Sequence, residues 1–443
     1  MPFTVRRKPT GTMYGRASTP VWSSGVWSRW SGRKDWKRNR FCIKNSNAGN
    51  RERHERKNMK TTIVNAHVIS PGIDIPSAAI TIERGKITSV SARPVRAVKE
   101  AEGVFDAKGH YVMPGFIDVH THGALTFDFC DKDPEAIFRI AEAKLREGVT
   151  TFLPTTLTVS HAELMTCAKN AKNYVDAGAP YAKIPGIHLE GPFINVKCCG
   201  AQNPAFVRKP SLSEVKDIAA VFPVKQISYA VETEGGAKFA KDCIKMGVVP
   251  SCGHTGAKLA DLRPAYANGL RHMTHFCNQM TPLHHREIGM VGAGFLIEDL
   301  NTEVICDRIH LCDDMLRLIF TRRSLEHVQM ITDSLRCSHC KDGYSFSMGG
   351  LDVRLENGEA RLVKGGNLAG STLWMGMGLR NVHKVTGIPL KDLVRTTSWN
   401  QAIEQGWGKK LGKVEKGFVA DLVAINPKTW KPSAVFVDGE RRV

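Results

Sequence analysis

Hydrophobic and polar residues alternate along residues 60–69, KTTIVNAHVI, the period-two mark of a strand with one buried face. Short stretches of the same kind follow at 79–82, 86–90 and 104–106, broken at Gly85 and Gly103. The far end of the chain returns to this style at 420–425 and 434–437, ahead of an Asp438-Gly439 turn. Between the ends the pattern changes. Apolar runs of strand length occupy 111–118, 150–153, 184–190, 226–231, 248–252, 270–275, 302–306 and 328–332, with amphipathic helical stretches such as 134–147 and 161–174 between them. Gly148 stops the first of these helices, and Ser211-Leu-Ser-Glu214 reads as a capping box that opens a later one. Eight strand–helix units over roughly 260 residues predict an α/β fold, a TIM-type (β/α)8 barrel with its working face at the C-terminal strand ends. The short strands at the two termini predict a small β-sandwich domain assembled from both chain ends. The expected divisions are a basic extension at 1–58, the first part of the β domain at 59–112, the barrel at 113–410 and the second part of the β domain at 411–443.

At 443 residues the chain is long enough for a barrel plus a smaller unit. No apolar run reaches the roughly 18 residues of a membrane helix, so a soluble, cytoplasmic protein with no membrane partner is expected. The twelve cysteines are scattered and read as free thiols. Cys337-Ser-His-Cys340 has CxxC spacing but no second pair, which favours a plain loop over a structural zinc.

The formal charge of +19 is unevenly spread. Residues 1–58 hold fifteen basic and three acidic residues and four of the eight tryptophans, without helical or strand periodicity. Three readings are open: a basic arm touching nucleic acid or membrane, a transit peptide, or a segment not normally translated. The third is favoured, because codons for Glu55–Asn58 can form a purine-rich ribosome-binding sequence just ahead of Met59. Intact mass of the natively expressed protein tests it. The rest of the chain is only mildly basic, which suits a phosphate-bearing substrate and not nucleic acid.

The candidate chemistry sits where the strands end. His120 and His122 stand one residue apart in PGFIDVHTHG and therefore project to one side of an extended strand. Glu190 ends the third strand, His254 the fifth, His275 the sixth and Asp333 the eighth. A lone histidine at a strand end is ordinarily a hydrogen-bonded surface residue, but an ordered set at one barrel rim is a divalent-metal site. Zinc is expected, with iron, manganese or cobalt as alternatives and one or two ions bound. A neighbouring carboxylate, Asp333, can take a proton from metal-activated water and hand it to a leaving amine.

With PGFIDVHTHG, HLEGPF, GHTGA, THFCNQMTPLHHRE, ITDS, NLAGST and KGFVADLV in place, residues 59–443 resemble the N-acetylglucosamine-6-phosphate deacetylases of the amidohydrolase superfamily. The resemblance implies hydrolysis of the N-acetyl group of an amino-sugar 6-phosphate to acetate and the free amine. It implies Glu190, His254 and His275 as metal ligands and Asp333 as the catalytic acid/base. Members differ in the first strand; the His120/His122 pair here allows a second ion bridged by Glu190. It further implies substrate contacts at Ala201, Gln202, Asn278, Gln279, Asp307, His310, Leu368, Ala369 and Gly370, with Arg286 gripping the phosphate across a homodimer interface. Gln202 replaces a family histidine that helps polarise the acetyl carbonyl; its amide can donate a hydrogen bond there but cannot be cationic. Arg308 replaces a common glycine and Gln401 a common proline. The alternatives are a galactosamine epimer as substrate, another N-acyl or cyclic-amide hydrolase, and a non-catalytic scaffold. The scaffold predicts that one of the six residues His120, His122, Glu190, His254, His275 and Asp333 is replaced, and none of these six is.

Overall fold

The computed structural model describes residues 60–93 and 102–443; the expectations for 1–58 lie outside them. Eight parallel strands are hydrogen-bonded in chain order. They are β1 (Phe116–Thr121), β2 (Val149–Thr156), β3 (Ile187–Glu190), β4 (Val224–Tyr229), β5 (Val249–Cys252), β6 (His272–Met273), β7 (Asn301–Ile305) and β8 (Val328–Ile331). The N–H of Asp333 donates to the His120 carbonyl and that of His122 to the Ser334 carbonyl, both at 2.9 Å, which brings the last strand round to the first. The expected (β/α)8 barrel is thus what the chain forms. Every residue of β1 and β2 is buried, as strands covered on both faces require. Ile117, Val119, Leu153, Ile305 and Ile331 pack inside the barrel, and a larger apolar core lies between the strands and the surrounding helices.

Helix α1 (Glu135–Arg146) shows how the helices dock. Ala136, Ile137, Ile140, Ala141 and Leu145 recur at helical spacing and are buried. Glu142 on the outer face pairs with Arg139 at 3.4 Å and Arg146 at 3.0 Å.

The chain ends build the smaller domain. Thr61–Ser70, Ile73–Glu83, Lys86–Ala92, Val104–Asp106 and Tyr111–Pro114 share one sheet with Leu422–Ile425, Pro432–Val437 and Glu440–Arg441. Tyr111–Pro114 lies between the two ends, parallel to Thr61–Ser70 and antiparallel to Leu422–Ile425. The sheet folds back through a Lys86–Val419 bridge over Ile63, Val68, Ile80, Ile82, Leu422 and Phe436.

The run 111–118, expected as one strand, is two. Residues 111–114 belong to the terminal sheet, and the chain changes partners at Gly115, where a Cβ would run into Thr150. Pro185, which has no N–H to give a ladder, delays the third strand to Ile187. The sixth shortens to two residues because His275 leaves the extended region at φ 29°. An unexpected three-stranded sheet, Ser345–Met348, Leu351–Glu356 and Glu359–Leu362, comes after β8. Cys337 and Cys340 lie in a turn, and no metal-capable cluster among the described residues includes them.

Candidate metal centre and active site

Glu190 stands at the end of β3 and is the hub. Its Oε1 lies 3.1 Å from His275 Nε2, 3.2 Å from His254 Nε2 and 3.3 Å from His120 Nε2. Its Oε2 is 3.3 Å from His122 Nε2. His254 Nε2 and His275 Nε2 face each other at 3.0 Å. Asp333 Oδ1 is 3.2 Å from His122 Nε2 and 3.6 Å from His120 Nε2. The first, third, fifth, sixth and eighth strands therefore deliver the predicted set to one point.

His254, His275 and Asp333 each sit just past a strand end with φ of 47°, 29° and 49°. For non-glycine residues this left-handed backbone costs on the order of 1 kcal/mol or more each. It turns the side chain inward from a chain that is leaving the barrel.

The donors fit a divalent cation. Ligand bonds of about 2.1 Å in a tetrahedral site put neighbouring donors about 3.4 Å apart, close to the spacings here. Three of the four rings are turned the right way by an acceptor at Nδ1. His254 Nδ1 meets the Cys198 carbonyl at 2.8 Å, His122 Nδ1 the Thr155 carbonyl at 3.2 Å, and His120 Nδ1 Glu303 Oε2 at 2.9 Å. An N–H committed there leaves the Nε2 lone pair for a metal. Both His120–His122–Glu190 and Glu190–His254–His275 bring ligand atoms within 4.8 Å of one another.

The electrostatics are those of a coupled cluster. Burial raises the Glu190 carboxyl, yet His120, His122 and His254 hold it well below the usual carboxylate range. Burial opposes charge on His122, but Asp333 and Glu190 lift it to about 10. Burial also raises Asp333, and His120 and His122 overcome this to hold it low.

A cavity of about 350 Å³ opens above the cluster. Of the expected substrate contacts, Ala201, Gln202, Asn278, Gln279, His310, Leu368 and Gly370 line it. Ala369 is fully buried beside it. Asp307 does not line it but accepts from His310 Nδ1 at 2.6 Å and orients that ring. Gln202 accepts from the Thr158 N–H at 2.7 Å and donates to Glu190 Oε2, which leaves one amide hydrogen for the cavity. Arg286 is exposed and outside this lining, 2.7 Å from His285 Nε2, while Glu287 pairs instead with Lys258. Arg308 forms a surface pair with Asp313 at 2.6 Å, and Gln401 is buried, donating to the Met330 and Thr396 carbonyls.

Some participants were not singled out from the sequence. Arg361 lines the cavity from the unexpected three-stranded sheet. Glu303, an acid inside an apolar strand, sits against His120; that mismatch of charge and pattern was a usable signal. Lys144 is a fully buried lysine on α1.

A site of this kind, imidazoles and carboxylates at the C-terminal rim of a (β/α)8 barrel, defines a metal-dependent hydrolase. The chain belongs to the amidohydrolase family, whose model matches residues 111–443. Within it the chain falls with the N-acetylglucosamine-6-phosphate deacetylases. It is 33% identical to the one from Bacillus subtilis over 80% of this chain and 89% of the relative. Against that of Lysinibacillus sphaericus it is 30% identical over 82% and 92%. An N-acetylgalactosamine-6-phosphate deacetylase of Escherichia coli O157:H7 is also 30% identical, over 78% and 90%. The crystal structure of the Thermotoga maritima N-acetylglucosamine-6-phosphate deacetylase superposes with a TM-score of 0.78 at 30% identity, covering 86% of this chain and 99% of that one. A Mycobacterium smegmatis D267A mutant in complex with N-acetyl-D-glucosamine-6-phosphate gives 0.79 at 26% identity, covering 87% and 99%. The resemblance drawn from the motifs is borne out.

Proposed function

We propose that the protein hydrolyses the acetamide of N-acetylglucosamine 6-phosphate, releasing acetate and glucosamine 6-phosphate, with zinc as the native cation. What carries this reading is the convergence of Glu190, His254 and His275 on one point, with Asp333 beside it in a cavity lined by polar side chains. A cation held there by Glu190, His254 and His275, and a second by His120 and His122, would polarise the acetyl carbonyl and acidify a water. Asp333 takes a proton as water adds to the carbonyl carbon. It returns that proton to the nitrogen as the C–N bond breaks. The free Gln202 amide hydrogen and His310 face the bound sugar and hold it in register.

The test is acetate release and metal content on one preparation. N-acetylglucosamine 6-phosphate, its galactosamine epimer and unphosphorylated N-acetylglucosamine are compared. Turnover as fast on the unphosphorylated sugar would sink the phosphate assignment. Faster turnover on the epimer would favour the second reading, which the E. coli relative motivates.

The protein is further proposed to work as a homodimer in the cytoplasm. In support, the described cysteines are free thiols, as a reducing compartment requires, and no described helix is long and apolar enough to cross a membrane. In a dimer the exposed Arg286 would reach the partner's substrate, where a guanidinium fork suits a phosphate dianion. Arg286→Gln should then raise KM for the phosphorylated sugar about tenfold or more, a loss of roughly 1.4 kcal/mol, with kcat little changed. Arg361→Gln is the control from the same chain's own cavity. If only Arg361→Gln raises KM, the phosphate is held within one subunit and Arg286 is not its anchor.

A further inference from the structure

Glu303 is fully buried in the middle of β7 and takes no part in the chemistry above. Its Oε2 meets His120 Nδ1 at 2.9 Å and accepts the backbone N–H of His275 at 3.1 Å. The other oxygen, Oε1, accepts from Gln226 Nε2 at 2.6 Å and meets His272 Nε2 at 3.0 Å. From there His272 Nδ1 reaches Glu404 Oε2 at 2.8 Å, on helix α2 (Trp399–Glu404). Glu404 also accepts from Asn301 and Gln329, near the starts of β7 and β8, at 2.8 and 2.6 Å. A file of side chains, buried through Glu303 and His272 and part-exposed at Glu404, thus runs from the ligand cluster down the barrel interior to its opposite end.

A carboxylate inside a barrel is costly unless its oxygens are satisfied. Here both are, and the two partners of Oε2 belong to different ligand-bearing strands. His120 needs this help most. It is fully buried, and the His188 ring stands edge-on to it at 4.7 Å. Without an acceptor at Nδ1, nothing fixes which nitrogen keeps the proton. His275 reaches the cluster through strained backbone, and its N–H is pinned by the same oxygen.

We propose that Glu303 is a positioning residue for the cation site, the single group that locks His120 with Nε2 toward Glu190 and Asp333 and sets it against the His275 backbone. His272 and Glu404 in turn hold Glu303. This rests on reading the cluster as a cation site and is independent of which sugar is cleaved.

The experiment is zinc affinity by chelator competition, read alongside acetate release. Glu303→Gln keeps the volume and weakens zinc binding by about 10- to 100-fold, the usual effect of removing an outer partner of a ligand histidine. In a His120→Asn background Glu303→Gln adds no further loss at the His120 ion, because the two act as one unit. Unchanged zinc affinity, or full additivity of the two substitutions, overturns the proposal, and so does a lower unfolding temperature at normal affinity. Should Glu303→Gln not fold, Glu303→Asp, which shortens the reach by one methylene, must show the same loss; normal affinity there overturns the proposal equally. If zinc binding behaves as expected but no acetamide is cleaved, the substrate reading fails and this one stands.

Discussion

Asp333→Asn is expected to cut kcat on the order of 10³-fold while metal content and KM stay near those of the parent. Asparagine keeps the volume and one oxygen but cannot accept the proton of the attacking water. Its placement suits the proposed exchange. Its Oδ1 stands 3.2 Å from His122 Nε2, and its side chain lines the cavity. Its backbone is held at φ 49° by an N–H bond to the His120 carbonyl at 2.9 Å and a carbonyl bond from the Ser371 N–H at 2.8 Å. Burial raises this carboxyl, and the neighbouring His120 and His122 rings more than offset that and hold it low. Steady-state kinetics with metal analysis separates the outcomes. Near-parental turnover removes Asp333 from the proton transfer, and lost metal with lost turnover makes it a ligand instead.

The second large effect concerns stability. Lys144 is fully buried on α1, with Nζ 2.6 Å from Ser334 Oγ, 3.1 Å from Glu147 Oε2 and 3.4 Å from Thr332 Oγ1. Asp118 Oδ2 lies 3.9 Å away and accepts from Thr332 Oγ1 at 2.6 Å. Glu147 also meets His339 Nε2 at 2.7 Å. Burial pushes the Asp118 carboxyl up to about 6 even with the ammonium opposing it. Lys144→Met fills the space, leaves Asp118 without a neighbouring cation and leaves Glu147 with only His339, which costs about 3–5 kcal/mol. Thermal unfolding should fall by on the order of 10 °C. Adding Glu147→Gln to Lys144→Met should recover part of the loss, since it removes one stranded charge. An unfolding temperature within about 2 °C of the parent would show that the site tolerates the missing charge and that the network matters little.

The barrel and the candidate ligand set were legible because both are written in short-range pattern. Apolar runs of strand length mark the strands, and the residues just past each run form the rim. His120, His122, Glu190, His254, His275 and Asp333 could be read in order for that reason. The illegible part depends on partners far apart in the chain. Glu303 meets His120 across 183 positions. Lys144 meets Ser334 across 190, and its place on the inner face of α1 looks like an ordinary break in an apolar stripe. The split at Gly115 was hidden because both pieces are apolar and only the fold decides which sheet each joins. The three-stranded sheet did carry signals, the Asn357-Gly358 turn with the asparagine at φ 53° and the period-two alternation of LDVRLE ahead of it, but three short strands after the eighth barrel strand have no place in a pattern of strand–helix repeats.

Tyr111–Pro114 takes one sheet partner from residues already made, Thr61–Ser70, and the other from Leu422–Ile425, far later in the chain. During synthesis the first strands and the barrel emerge with one flank of Tyr111–Pro114 bare, and that edge stays open until Leu422–Ile425 has left the ribosome. A stop codon shortly before Leu422 would make the gap permanent. It would leave an apolar strand free to pair with a neighbour, so such truncated chains should accumulate as aggregates even though every group needed for chemistry is present.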